Sequence, residues 1–429
     1  MFNFQVILTL AVFGFVFFCV ISEKLDRMKA AFFGGALLLV FGVSSLHEAW
    51  TEYIDFETIG LLIGMMLIAG VIGQTGLFQF VALRAVKLTK GRFGLLLIAL
   101  SVVTALFSAF LDNVTTILLL APVGIFAADA LHRRPYLLLM AMGLSANVGG
   151  AATLIGDPPN MLIGSAAGLS FGQFMSNMGP MAIIALIVTL AYVFFTNRAE
   201  LKPTGDTITT DSFDEKKYLK DRPTLYLSLG VLGLVIVGFM VLPDLGITTA
   251  EISLAGGALL LLINKGEPEK LLHLVEWPLI FFFLGLFVIT GTLEKVGLVE
   301  IVGRFFASLT DNPFLLSVIL LWLGTFGAAL LSAVPFVAVM IPIVSAAIAH
   351  LGLDPATAEP LWWALALGVC IGGNGSLVGS AANLTLAGIS QRTREPLTYG
   401  KFLRLGLPTV IVVQVFSTAY IYLRYFAFA

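Results

Sequence analysis

Charge is scarce in this chain of 429 residues: Asp, Glu, Lys and Arg make up 12%, against 59% hydrophobic residues and a mean hydropathy of +1.00. A soluble domain of this length has too little core volume to hide so much apolar surface, which excludes a soluble globular protein. Cysteine is almost absent. Cys19 and Cys370 lie in apolar surroundings without CxxC spacing, which argues against a disulfide framework or a structural zinc site. His47, His132, His273 and His350 are scattered with no metal-ligand spacing, so no cofactor is expected. No GxxxxGK[ST] stretch offers a phosphate cradle. With no paired nucleophile and base either, an enzyme is not expected. Strand-length alternation is missing, which argues against a barrel. The first segment has no basic start and no small-residue cleavage site, so it reads as a retained helix. The net charge of −2 gives no reason to expect a nucleic-acid partner.

What is present is a series of long apolar stretches. Residues 4–22, 30–46, 59–82, 180–196, 224–242, 247–264, 278–293 and 406–423 are each predicted to cross roughly 30 Å of hydrocarbon as a helix. The fold class is therefore an all-α polytopic membrane protein, with the lipid bilayer as its surroundings. Basic residues sort the loops. Segments 24–29, 84–92, 131–135, 197–222, 264–270 and 391–404 hold all of the 24 Lys and Arg except Lys295, Arg304 and Arg424. Cytoplasmic loops collect such residues, which predicts an inner-membrane protein with its N-terminus outside. The loop 47–58, with Glu48, Glu52, Asp55 and Glu57, fits the opposite face.

The alternation works only if residues 93–130 begin and end on the basic side and 313–350 on the other. Each must turn back, near Asp112-Asn113 and near Ser332-Ala333. Charge counting leaves open whether these are re-entrant hairpins or pairs of full spans.

Three motifs recur in the same order. GVIGQTG (70–76) answers GTLEKVG (291–297), and LDNVTTILLLAP (111–122) answers LSAVPFVAVMIP (331–342). GGAATLIGDPPNMLIG (149–164) answers GGNGSLVGSAANLTLAG (372–388), read with one extra residue. The copies enter from opposite faces, so the repeats are inverted: 1–196 and 223–429, joined by a polar linker at 197–222. Inverted repeats with broken helices are a signature of secondary transporters, whose site lies where the copies meet. Glycines and the Pro158-Pro159 pair predict a broken helix within 136–165, with a second within 361–389. LVEIVGRFFASL (298–309) has amphipathic spacing and is expected along the outer interface, the counterpart of FQFVALRAVKLT (78–89).

An acid within an apolar run is costly and functional by default, so Asp112 and Asp157 are the candidates for proton coupling. Asp112 can equally cap the returning hairpin arm, and Asp157 can stabilise the Pro-Pro turn. Candidate solute-binding side chains are Asn113, Thr115, Thr116, Thr153, Asn160, Ser332, Asn374, Ser376, Ser380 and Asn383. Cys370 reads as a packing residue.

The motifs SAFLDNVTTILLLAPV (108–123) and NVGGAATLIGDPPNMLIG (147–164) resemble the ion transporter superfamily, in the branch of ArsB arsenite permeases, NhaD sodium/proton antiporters and the melanosomal P protein. The weaker SAVPFVAVMIPIV (332–344) and GGNGSLVGSAANLTLAG carry the resemblance into the second half. It implies two inverted repeats of about five transmembrane helices, each with a re-entrant hairpin and a discontinuous helix. It also implies homodimers and, in some arsenite permeases, an ATPase subunit as partner. Sodium antiporters repeat an Asp-Asn pair in the second hairpin; here Ser332 and Ala333 stand there, which weakens a sodium reading because a hard cation wants negative charge. Proton-coupled efflux of arsenite and antimonite is the expectation. The alternatives are sodium/proton antiport and an organic-anion permease, disfavoured because the expected site offers no Arg or Lys.

Overall fold

The computed structural model describes residues 4–22, 24–201, 215–264, 266–393 and 395–427. Of the expected linker, 202–214 lie outside the described residues. The described chain is helical without strands. The first half runs α1 (Phe4–Ser22), α2 (Arg27–Val40), the single turn α3 (Leu46–Glu48), α4 (Phe56–Gln74), α5 (Leu77–Leu88), α6 (Phe93–Phe110), α7 (Asn113–Ala130), α8 (Tyr136–Gly150), α9 (Pro158–Ala167) and α10 (Phe171–Thr196). The second runs α11 (Arg222–Val241), α12 (Thr249–Ile263), α13 (Pro268–Leu272), α14 (Trp277–Lys295), α15 (Leu298–Leu309), α16 (Pro313–Leu331), α17 (Ala333–Leu351), α18 (Pro355–Gly372), α19 (Ala381–Ser390) and α20 (Tyr399–Tyr425).

Two predicted spans end early, for backbone reasons. The stretch expected at 30–46 stops at Val40, where Gly42 takes φ +68° and turns the chain. The stretch expected at 59–82 stops at Gln74; Gly76, at φ +83°, starts the separate helix α5. Its counterpart α15 also begins after a left-handed glycine, Gly297 at φ +79°. Only glycine adopts such angles without steric cost.

The turn-back segments are helical hairpins whose tips end against the broken helices. α6 and α7 lie against α8, and their tip meets the chain where α8 breaks, while α9 continues beyond it. α16 and α17 stand in the same relation to α18 and α19: Ala333 N donates to Gly379 O at 3.0 Å. Close approach is what glycine permits here. A Cβ on Gly149 would lie 2.1 Å from the carbonyl oxygen of Ala105 in α6, and one on Gly372 would lie 2.5 Å from Cα of Thr325 in α16. Gly149→Ala is expected to lower stability by about 1–3 kcal/mol because backbone, not a flexible side chain, must move. Gly230→Ala, where nothing lies within 4 Å, is the control. Thermal unfolding in detergent checks both, and equal melting of Gly149→Ala and the wild type would contradict the hairpin packing.

The halves interlock. α2 packs on α14 and α12 on α4; α9 touches α17 and α19 touches α7. Ion pairs join segments that the charge pattern groups together. Lys295 meets Glu48 at 2.6 Å and His350 meets Glu300 at 2.8 Å on one face, while Arg134 meets Glu395 at 3.1 Å on the other. Glu215, at the end of the linker, is gripped by Arg84 at 2.9 Å and Lys87 at 3.1 Å. A backbone hydrogen bond at Glu215 itself, with Lys87 and Arg84, holds its carboxyl down at about 2.

Candidate functional site

Each broken helix is closed by its own asparagine. The Asn160 amide donates to the carbonyls of Gly150 and Ala151 at 3.3 Å and of Thr153 at 2.8 Å. Asn383 donates to Gly373 at 2.9 Å and Ser376 at 3.0 Å. These are carbonyls that a helix end leaves without internal partners. The hydroxyls of Thr153 and Ser376 donate to Ala109 O and Ala329 O, the last turns of α6 and α16, and so tie each break to its hairpin. The correspondence pairs Thr153 with Ser376 and Asn160 with Asn383 through equal spacings. The extra residue expected in the second motif is therefore not there.

Asn147 joins the two repeats. Its Oδ1 accepts from Asn113 at 3.1 Å and from Ser380 at 2.9 Å; its amide donates to Asn374 at 2.7 Å and Asn383 at 3.1 Å. Asn113 also donates to Asp157 at 3.2 Å, and Asn374 to Leu144 O at 2.9 Å. The Cys370 thiol reaches Oδ1 of Asn160 at 3.2 Å. All of these side chains are buried, so the two breaks and the first hairpin tip share one polar knot inside an apolar bundle. Such a knot is stable only when its members satisfy one another.

The two candidate acids are placed differently. Asp112 caps α7, accepting the Thr115 amide at 2.8 Å and its hydroxyl at 3.0 Å, while lining a cavity of about 400 Å³ with Thr115, Ile155, Pro158, His273 and Glu276. Capping and a place on the cavity thus coexist. Asp157 precedes α9 without capping it, takes the Asn113 amide instead, and lies within electrostatic reach of Asp112. Thr116 is buried in α7, and its hydroxyl makes no hydrogen bond among the described residues.

Ser332 faces a second cavity, of about 420 Å³, shared with Arg27, Val114, Glu276, Val378 and the first turn of α19 at Ala381 and Thr385. Its backbone sits at φ +70°, ψ 145°, an angle disfavoured for any residue with a Cβ and one that clusters at functional sites. Asp112, in the matching turn, has φ −57° and caps its helix; Ser332 does not.

Sequence reasoning overlooked Asn147, which lies inside a motif it used, and placed Arg27 in a loop. Arg27 is the first residue of α2 and lines the second cavity with Ser332 and Glu276. Its charge is within electrostatic reach of Asp112 and Glu276, so the expectation that no Arg or Lys approaches the site is corrected.

Interlocked inverted repeats, two broken helices and two hairpin tips meeting at buried polar groups define a secondary transporter, not an enzyme. The sequence profile of the citrate transporter family matches residues 17–368, and the chain belongs to that family. An uncharacterized transporter of Mycobacterium tuberculosis is 35% identical over 98% of this chain and 99% of its own length. The human P protein is 31% identical over 97% of this chain and 60% of its own. The crystal structure of the Alcanivorax borkumensis YdaH transporter superposes with a TM-score of 0.63 at 15% identity, covering 90% of this chain and 87% of that one, which speaks for the fold alone.

Proposed function

We propose that the protein is a proton-coupled secondary transporter whose solute is a small carboxylate anion, held in the cavity between Arg27 and Ser332. The observation that carries this reading is the placement of Arg27 beside the first turn of α19 and the uncharged tip of the second hairpin. A guanidinium binds carboxylates through paired hydrogen bonds, and the N-terminal end of a half-helix favours negative charge. The family profile's description as a citrate transporter supports the same class of solute. In the first repeat, Asp112 and Asp157 put carboxyl groups where the second repeat has Ser332 and Ser380. The first repeat therefore offers carboxyl groups for a proton, and the second offers the anion an uncharged hairpin tip.

Efflux of arsenite and antimonite is the second reading. It is favoured by the Cys370 thiol and the amide and hydroxyl groups of the buried knot, which suit a neutral, thiophilic hydroxide. Sodium/proton antiport draws less support, because Ser332 and Ala333 supply no second carboxylate. The repeats are assigned to 1–196 and 223–429, with the basic loops in the cytoplasm and the N-terminus outside the inner membrane. A homodimer and an ATPase subunit are partners that the family resemblance implies.

Transport in vesicles decides between the readings, with a tricarboxylate, arsenite, antimonite and sodium tested side by side under an imposed proton gradient. Carboxylate uptake is the expected result; metalloid movement without it would install the second reading. Arg27→Gln is expected to weaken carboxylate affinity about 10- to 100-fold, the worth of a hydrogen bond between charged groups. An unchanged half-saturation concentration would remove Arg27 from the site.

A further inference from the structure

Glu276 belongs to both cavities, lining the 400 Å³ space with Asp112 and the 420 Å³ space with Arg27 and Ser332. It occupies the residue before α14, where an acid ordinarily accepts the free amides of the first turn. It does not cap. The first repeat supplies an internal comparison. Asp55 holds the same position before α4 and does cap, taking the Thr58 amide at 3.0 Å and its hydroxyl at 2.5 Å. Three residues beyond Glu276 stands Leu279, which has no hydroxyl to offer. The second repeat lacks the hydroxyl partner, and the Leu279 amide donates to the Glu276 carbonyl at 2.8 Å instead of to its carboxylate.

Resting on the carboxylate reading above, we infer that Glu276 is the coupling carboxylate of this transporter, admitting the anion when it carries a proton and excluding it when it does not. Among the described residues that line the two cavities, few others are charged or titratable. Asp26 and Arg27 come from the start of α2, Asp112 from the first hairpin, and His273 from the turn after α13; α19 and the second hairpin present Thr385 and Ser332, which are neutral. Asp26 is committed to capping α2, accepting Met28 N at 3.1 Å and Lys29 N at 3.2 Å. With Glu276 ionised, the second cavity holds two carboxylates against one guanidinium, and a carboxylate solute meets net repulsion. One proton taken from solution onto a Glu276 oxygen leaves Asp26 and Arg27 in balance, and the solute can then bind. When the solute departs, the same proton returns to solution. Nothing else changes hands.

The test uses the full-length protein in liposomes. Linkage of one proton to one solute predicts that wild-type carboxylate affinity falls about tenfold per pH unit on the alkaline side of the Glu276 titration. Glu276→Gln is expected to flatten that profile and to reduce the protons taken up per solute by one; Glu276→Asp is expected to restore the slope. A second readout does not depend on the solute. The infrared difference spectrum between acid and alkaline buffer should lose one protonated-carboxyl band in Glu276→Gln and keep a shifted band in Glu276→Asp. An unchanged slope or an unchanged band count overturns the role of Glu276. Should the wild type move no carboxylate under any gradient, the carboxylate reading falls and the coupling role falls with it, while the infrared band still shows whether Glu276 titrates.

Discussion

Replacing Asp157 with asparagine is expected to abolish uphill transport while leaving the protein folded. Asp157 is buried and accepts the Asn113 amide at 3.2 Å, and an asparagine carbonyl can accept the same hydrogen bond. The fold therefore loses little, since the donor on Asn113 keeps a partner. What disappears is the carboxyl group at that place able to take up and give back a proton. Asp157→Ala removes the acceptor as well, and an orphaned buried amide costs about 1–3 kcal/mol. The pair of variants separates the two roles: Asp157→Asn should melt with the wild type and fail in proton-driven uptake, whereas Asp157→Ala should fail in both. Proton uptake followed by a pH-sensitive dye alongside solute flux makes the measurement. Wild-type coupling in Asp157→Asn would remove this acid from the proton route and leave it to Asp112 and Glu276, which line the same cavity.

How much of this was legible beforehand depends on how local each cause is. The breaks at Gly149 to Pro159 and at Gly372 to Asn383 could be read because glycine and proline act on their own backbone. The pattern of Lys and Arg sorts the loops into two groups, and each ion pair described above joins segments of one group. Span ends were misjudged where a single left-handed glycine, Gly42 or Gly76, interrupts an apolar run that hydropathy alone carries onward. Whether the hairpins cross the membrane or stop midway was beyond sequence, because it depends on where Ala109 and Ala329 meet the breaks of other helices. Arg27 was counted as a loop charge since nothing local announces that the start of α2 lines a cavity with Glu276 and Ser332. Glu276 and Asn147 were invisible for a related reason. Each has its meaning only from partners brought by several distant segments, and no spacing along the chain encodes that meeting.

Asn147 carries the largest expected effect on stability. It is buried, and both of its polar atoms are doubly engaged, with Asn113 and Ser380 donating to the carbonyl and the amide donating to Asn374 and Asn383. Those partners come from the first hairpin and from the second broken helix, so this one side chain closes the polar knot across the two repeats. Asn147→Ala removes four hydrogen bonds at once and leaves their partners enclosed. At about 1 kcal/mol net for each bond, the loss comes to about 4 kcal/mol. The matching position in the second repeat is Cys370, whose weak thiol donor reaches Asn160 and neighbours Asp157, so Cys370→Ala should cost far less, about 1 kcal/mol. Asn147→Asp tests the knot differently: it keeps the acceptor, loses both donors and sets a second carboxylate near Asp157, so it should be at least as harmful as alanine. Unfolding of the purified protein in detergent, with Cys370→Ala measured alongside, reads all three. If Asn147→Ala unfolds no more easily than Cys370→Ala, the breaks are held together by their own asparagines, Asn160 and Asn383, and the two repeats meet without a polar lock.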